Sequence, residues 1–287
     1  MTRLPVPVRL GVLGWPVAHS RSPAIQNAAL AALGMTGWRY QRLPVAPALF
    51  AETTRALRSS GFHGANVTIP HKQAALELAS EASRTAREIG AANTLTFAPD
   101  GTIAAENTDA PGLIAALARL PELPTHPRAL ILGAGGSARA AAWALREAGA
   151  SEVSVWNRTA ERAHALAREL GVRAVRAAVP ADLLVNCTSV GLHGGGAVQR
   201  SATDGDALNQ LGLTFDQVGE YPYVVDFVYR SGSTQLLAAA MAHGARTLDG
   251  LELLVAQGAL SLELWTGRQA PLEVMRRAAR EEDPPAA

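Results

Sequence analysis

Apolar positions along the chain fall into two alternating spacings: short runs that suit strands, and i, i+3, i+4 stripes that suit helices. Val8 to Gly14 is a short apolar run ending in Gly. Ala24 to Leu33 follows with Ile25, Ala28, Ala29, Ala32 and Leu33 on one helical face. The alternation continues with a strand over Trp38 to Val45, a helix over Ala48 to Leu57, and a strand from Gly64 to Ile69 that stops at Pro70. Helices are expected through Ala74 to Ala79 and near Ala86 to Ile89. Asn93 to Phe97 and Thr102 to Glu106 then read as a hairpin across Pro99-Asp100-Gly101, and Leu113 to Leu120 as a helix.

Pro121 to Pro127 holds three prolines and reads as a surface linker, after which the same alternation resumes. Strands are expected at Ala129 to Leu132, Val153 to Trp156, Leu183 to Cys187, Val224 to Val228 and Arg246 to Leu248. Helices are expected from the Ala-rich stretch ending at Ala148, at Gln235 to Ala242, Leu251 to Trp265 and Leu272 to Arg280. Leu192 to Pro222 is rich in Gly and polar residues and reads as a loop, with His193-Gly194-Gly195-Gly196 as its mobile tip. The tail from Asp283 to Ala287 is expected to fray.

At 287 residues the chain suits two domains of roughly 100 to 150 residues, and hence a cleft. A net charge of +1 provides no field for nucleic acid or anionic membrane, which removes basic-patch functions. No apolar run is long enough to span a bilayer and the N-terminus lacks a signal-peptide core, so the cytoplasm is the expected location. Cys187 stands alone, which excludes an internal disulfide framework and a cysteine zinc cluster; no metal site is expected, and a small buried hydrophobe is its ordinary reading.

The charge count hides one asymmetry: of 26 basic residues, Lys72 is the only lysine. A guanidinium cannot exchange a proton near neutral pH, whereas an ammonium can. Lys72 follows a strand pattern and a Pro break, where loop-borne functional groups sit; the alternative is an ordinary solvated lysine. Ser22 followed by Pro23 reads as a helix cap with Pro at the first helical position. Ser20 is not needed for that cap, and two hydroxyls beside a helix N-terminus suit a carboxylate or phosphate. Thr108 and Asp109 precede a helix and can be read as its cap, and nothing in residue order brings Asp109 to Lys72. Gln257, among Val255, Ala256, Ala259 and Leu260, is either a satisfied core amide or a ligand contact.

Gly133-Ala134-Gly135-Gly136-Ser137-Ala138 satisfies Gly-x-Gly-x-x-Gly/Ala between a strand and a helix, the fingerprint of a dinucleotide-binding turn. At the end of the next strand, where an NAD site places Asp or Glu, stand Asn157, Arg158 and Thr159, with Arg162 one turn on. A carboxylate repels a 2′-phosphate and a guanidinium pairs with it, so NADP is favoured over NAD; a solvated surface arginine is the competing reading.

Seven motifs in order resemble the shikimate dehydrogenase family from about Leu10 to about Arg277. They are Ser-Arg-Ser-Pro at 20–23, Asn-Val-Thr-Ile-Pro-His-Lys at 66–72, Gly-Ala-Ala-Asn-Thr at 90–94, Asn-Thr-Asp at 107–109, the glycine turn, Asn-Arg-Thr at 157–159 and Val-Ala-Gln-Gly-Ala at 255–259. The resemblance implies NADPH-dependent reduction of 3-dehydroshikimate to shikimate. It puts Ser20 and Ser22 on the substrate carboxylate with Tyr229 helping, and has Thr68, Asn93 and Gln257 bind its hydroxyls or frame the site. Lys72 and Asp109 would sit at the reacting alcohol, Lys72 as acid or base and Asp109 as its orienting partner. The turn residues, Asn157 to Thr159, Arg162 and Gly250 would contact NADP. A small-molecule substrate is the expected partner, with no nucleic acid and no membrane, and self-association is left open.

The expected fold is α/β with two domains and the site between them. Residues 1–108 with 251–287 form an α/β substrate domain to which the C-terminal helices return, and 109–250 form a Rossmann-like, doubly wound parallel-sheet NADP domain. Departures from the family pattern are a Ser-Gly-Ser run after Arg230 in place of a Pro, Asn186-Cys187-Thr188-Ser189 near the nicotinamide side, and Gln26 where His is frequent. The last keeps quinate, and an NAD-preferring quinate/shikimate dehydrogenase, as an alternative. A dinucleotide-binding sensor without catalysis is the other, although it would need neither the lone lysine nor Asn-Thr-Asp.

Overall fold

The structure, a computed structural model, describes residues 7–192, 205–230 and 232–281. The chain separates into two compact units, Met1–Gly112 with Leu254–Ala287, and Leu113–Leu253.

The first unit begins with β1 (Val8–Gly14), α1 (Ser22–Ala32), β2 (Trp38–Pro44), α2 (Phe50–Ser59), β3 (Phe62–Val67) and α3 (Lys72–Leu78). It continues through β4 (Glu81–Ala82), α4 (Arg84–Ile89), the hairpin β5 (Thr94–Phe97) and β6 (Ile103–Glu106), and α5 (Asp109–Leu117), whose first residues belong here. The sheet order is β2-β1-β3-β5-β6-β4, with β1 parallel to both neighbours and β5 antiparallel to β3 and β6. β1 is apolar without alternation because it is covered on both faces: Leu10 and Leu13 are fully buried. Leu13, Val67, Leu95 and Phe97 pack with Phe50 and Leu57 of α2 into one core.

The second unit contains β7 (Arg128–Leu132), α6 (Gly136–Glu147), β8 (Glu152–Trp156), α7 (Ala160–Leu170), β9 (Arg173–Ala174), β10 (Leu183–Asn186), α8 (Gly205–Gln210), α9 (Phe215–Val218), β11 (Tyr223–Asp226), α10 (Gln235–Ala242) and β12 (Arg246–Leu248). All its strands pair in parallel, in the order β12-β11-β10-β7-β8-β9. Counted from β7 as the first strand, this is 3-2-1-4-5-6 read from β9, the doubly wound arrangement in which ligands meet the sheet where the order reverses. That switch point lies between β7 and β10. The chain ends with α11 (Gly250–Thr266) and α12 (Leu272–Arg280).

Three sequence expectations are corrected here. The stretch from 192 to 222 is not all loop: α8 and α9 lie in it, Thr214 and Gln217 form a reciprocal capping box, and Leu208, Leu211, Leu213 and Val218 join the second core. Its apolar residues are spaced over two short helices, too few turns to show a stripe. The proposed tip at His193–Gly196 and the tail from Asp283 lie outside the described residues. Helix α3 begins at Lys72 itself, and α5 begins at Asp109, four residues before the apolar stripe that announced it.

Candidate active site

The polar cluster of the first unit is built where strands end and helices begin. β3 runs out at Val67, Thr68 N–H bonds Leu13 O at 2.9 Å, and the chain turns into α3. His71, buried and stacked on Phe50 with 4.5 Å between ring centroids, bonds Val45 O at 2.8 Å through Nε2. Burial holds its pKa below the usual histidine value, so it is a neutral strut rather than a proton donor. The strut leaves the next residue, Lys72, directed inward with only 9% of its surface exposed. It is therefore neither a loop residue nor a solvated lysine.

The start of α5, just past the hairpin strand β6, supplies the partner. Lys72 Nζ donates to Asp109 Oδ2 at 2.5 Å, and Asn93 Nδ2 donates to Asp109 Oδ1 at 2.8 Å. The helix-cap reading of Thr108 and Asp109 fails, because Asn107 Oδ1 takes the Ala110 amide at 3.1 Å and frees both of the following side chains. Asn93 Oδ1 accepts the Thr108 amide at 2.7 Å, which fixes the amide the right way round. Gln257 of α11 completes the ring: its Oε1 accepts from Asn93 Nδ2 at 3.1 Å while its Nε2 donates to Leu254 O at 2.7 Å. Gly112 lets α5 approach this residue, since a Cβ there would stand 2.9 Å from Gln257 atoms. Lys72, Asp109, Asn93 and Gln257, distant in sequence, are thus one cluster.

Ser20 and Ser22 are buried near the start of α1, and the cap expected at Ser22 is not formed. Ser22 is already helical, Arg21 stands at the N-cap without a side-chain capping bond, and Ser20 Oγ accepts the Ser22 amide at 3.3 Å. The Ser22 hydroxyl, and that of the half-buried Thr68, have no hydrogen-bond partner among the described residues. The Thr68 methyl fills the space over Gly14, where a Cβ would come within 2.5 Å of it. Two hydroxyls open to a ligand, in the unit that also holds a buried cation and carboxylate, can bind a small polar molecule that water otherwise solvates. Gln26 is 1% exposed; its Nε2 donates to Gly258 O at 2.8 Å and its Oε1 has no partner among the described residues.

In the second unit the glycine turn follows β7. Gly133 has φ +111° and its amide bonds Trp156 O at 2.8 Å; a Cβ there would lie 3.2 Å from Cys187 and Thr188 at the end of β10. Gly135 is exposed with open space where a Cβ would be, Gly136 and Ser137 start α6, no side chain caps that helix, and Ala138 is fully buried against the sheet. Ala134 is half-buried on the turn itself. An uncapped helix N-terminus with open space before it fits a pyrophosphate. At the end of β8, Asn157 Nδ2 donates to Thr159 O at 2.8 Å, and the exposed Arg158 and Arg162 form no ion pair with a described residue. Gly250 opens α11, where a Cβ would stand 2.6 Å from Phe227 O. Tyr229, half-buried, lies three residues past β11, also in this unit.

Sequence reasoning missed a buried polar layer behind the first cluster, made by Asn66, Thr94, Thr108 and Ser261. The available signal was Ser261, one helical turn past Gln257 on an otherwise apolar face. It also missed Asp226, 1% exposed, whose carboxylate accepts from Asn186 Nδ2 at 2.9 Å, Val228 N at 3.0 Å and Thr234 Oγ1 at 2.7 Å. Burial outweighs those donors and raises its pKa to about 6.

With this geometry in hand, comparison with known proteins is informative. The chain matches the shikimate dehydrogenase substrate binding domain over residues 12–95, the shikimate / quinate 5-dehydrogenase family over 116–188 and the shikimate 5′-dehydrogenase C-terminal domain over 250–280. It is 41% identical to a shikimate dehydrogenase (NADP(+)) of Methanopyrus kandleri, across 95% of this chain and 94% of that one. Against the enzyme of the same name from Methylobacterium radiotolerans the identity is 45%, across 90% and 91%. Among solved structures, shikimate 5-dehydrogenase from Thermus thermophilus in complex with NADP(H) and shikimate superposes with a TM-score of 0.82 at 41% identity, covering 95% of this chain and 98% of that one. No helix among the described residues is long and apolar enough to cross a membrane.

Proposed function

The chain belongs to the shikimate dehydrogenase family, and from that membership we propose that it reduces the ketone of 3-dehydroshikimate to the alcohol of shikimate with NADPH, reversibly, in the cytoplasm. The observation that carries this reading is the buried Lys72–Asp109 pair, locked by Asn93. NADPH, when bound, supplies the hydride. Lys72 supplies the proton: its ammonium donates to the carbonyl oxygen as the carbon takes the hydride, the C=O becomes CH–OH, and the neutral amine is reprotonated from solvent. Asp109 orients Lys72 toward the reacting oxygen in both directions.

The first unit is the substrate domain in this reading. Ser20 and Ser22, with Tyr229, take the carboxylate; Thr68, Asn93 and Gln257 take the ring hydroxyls. The second unit is the NADP domain, with the pyrophosphate on the turn from Gly133 to Ala138 and the 2′-phosphate on Arg158 and Arg162, flanked by Asn157 and Thr159, and with Gly250 admitting close packing. The two uncommitted guanidiniums support NADP, since no interaction must be broken to free them.

The test is NADPH oxidation, followed by absorbance, with 3-dehydroshikimate and with 3-dehydroquinate, for wild type and Lys72→Arg, and with NADH in place of NADPH. Turnover of 3-dehydroshikimate that prefers NADPH and collapses in Lys72→Arg is expected. Wild-type turnover by the variant would remove Lys72 from the proton step, and preference for 3-dehydroquinate would reassign the substrate.

A further inference from the structure

Behind the reacting pair lies a layer of hydroxyls and amides with no surface of its own. Ser261 of α11 is fully buried and is its hub. Its Oγ lies 2.9 Å from Asn66 Nδ2, 2.8 Å from Thr94 Oγ1, 3.1 Å from Thr108 Oγ1 and 3.1 Å from the Gln257 carbonyl.

The orientation of the two amides follows from two groups that have no choice. Asn66 Nδ2 also meets the Asn93 carbonyl at 3.1 Å, which can only accept, so the Asn66 amide faces Ser261 with its NH2 and faces Tyr40 with its oxygen, at 2.8 Å. The Thr108 amide can only donate, and it does so to Asn93 Oδ1, so Asn93 turns its NH2 toward Asp109 and Gln257. Between these ends several arrangements satisfy all three hydroxyls. In one, Ser261 donates to the Gln257 carbonyl and accepts from Asn66 and Thr94, while Thr108 donates to Asn93 Oδ1 at 3.1 Å; Thr94 also lies 3.2 Å from that oxygen and can donate there instead.

We propose that Ser261 is a positioning residue for catalysis: it ties the turn of α11 that carries Gln257 to the strand ends that carry Asn93 and Asn66, and so sets where the Gln257 and Asn93 amides stand relative to Asp109. A backbone contact alone would let α11 slide or rotate by a few tenths of an ångström. The hydroxyl bridge from Gln257 O to the β3 and β5 side chains removes that freedom, because each member of the layer has its donors and acceptors spoken for. Such supporting groups matter because catalytic side chains must be held close to their productive geometry. The inference rests on the reading of Gln257 and Asn93 as substrate contacts.

The experiment is a double-mutant cycle of Ser261→Ala with Gln257→Ala, reading kcat/KM for 3-dehydroshikimate, the NADPH KM and the melting temperature. Ser261→Ala is expected to lower kcat/KM about ten-fold, the worth of one to two ordinary hydrogen bonds, with an unchanged NADPH KM. In the Gln257→Ala background the same substitution is expected to cost less than about two-fold, since the residue it positions is gone. A purely structural role would lower the melting temperature and multiply the two losses; that result overturns the inference, as does an unchanged kcat/KM in Ser261→Ala. If Ser261→Ala does not fold, Thr94→Val removes the hydroxyl that bonds Ser261 and is read against Gln257→Ala in the same way. No effect of Gln257→Ala on its own overturns the reading of the site, and the inference with it; a large effect of Gln257→Ala beside none from Ser261→Ala overturns the inference alone.

Discussion

Asp109 and Asp226 are both buried carboxylates at or just past strand ends, one in each unit, and both have their oxygens fully engaged. Their partners differ in kind. Asp109 shares an amide NH2 and an ammonium, whereas Asp226 is held by an amide, a backbone N–H and a hydroxyl, all neutral. Neutral donors do not offset the desolvation of a charge at 1% exposure, and the Asp226 pKa rises to about 6. The lesson is that hydrogen-bond count does not identify a reacting carboxylate; an adjacent titratable cation does. Asp226 instead joins β10, β11 and the Thr234 cap of α10, and so anchors the segment that carries Tyr229.

Lys72→Met should have the largest effect, because it converts the first site into a copy of the second. Turnover should fall by about 1000-fold through loss of the general acid. Stability at neutral pH should fall by about 3 kcal/mol, since Asp109 is left as a buried carboxylate without its cation. Steady-state rates and urea melts read both effects, and a variant as stable as wild type would show that the pair contributes nothing beyond chemistry.

Next in size is Asp226→Ala, which leaves three buried donors without an acceptor. A loss of about 3 kcal/mol is expected, seen as a lower denaturant midpoint at constant slope, while the residual folded enzyme keeps its kcat. A kcat that falls as steeply as in Lys72→Met would place Asp226 in the reaction and abolish the contrast.

The smallest effect belongs to Asp226→Asn. Oδ1 meets two groups that can only donate, so the new NH2 must replace Oδ2 and face Thr234 Oγ1, a hydroxyl that can turn and accept. The cost below pH 4 should be about 1 kcal/mol or less. The pH dependence changes more. The native wild type keeps the Asp226 proton to a higher pH than the unfolded chain does, so this residue's contribution to stability is greatest below 3.8 and declines as the pH rises toward about 6. In Asp226→Asn that decline should vanish, so chemical denaturation at a series of pH values should give a flatter curve than wild type across the window. Equal slopes for the two proteins would mean that Asp226 stays ionised throughout.

Most strands and helices were legible because each buries a continuous face and spacing reports burial directly. α8 and α9 were not: they are two turns or less, and the surrounding Gly and polar residues outweigh the core residues Leu208 and Val218 that lie in them and Leu211 and Leu213 between them. Lys72 stood out through composition, and the glycine turn through its flanking strand and helix. Ser261, Asn66 and Asp226 left little trace, since a buried polar residue in an apolar stretch looks like an ordinary interruption until its partners are known.

Residue order by itself determined the alternation of strands and helices, the dinucleotide turn with its arginines in place of an acid, and the solitary lysine, because these depend on neighbours within a few residues. Only the tertiary structure decided that Asp109 meets Lys72 rather than capping α5, that Ser22 lies inside α1 rather than capping it, and that Asn93, Gln257 and Ser261 share one network. Those contacts join positions up to 195 residues apart, as Asn66 to Ser261 does, and a hydrogen bond over that separation exists only once the sheet and α11 have packed.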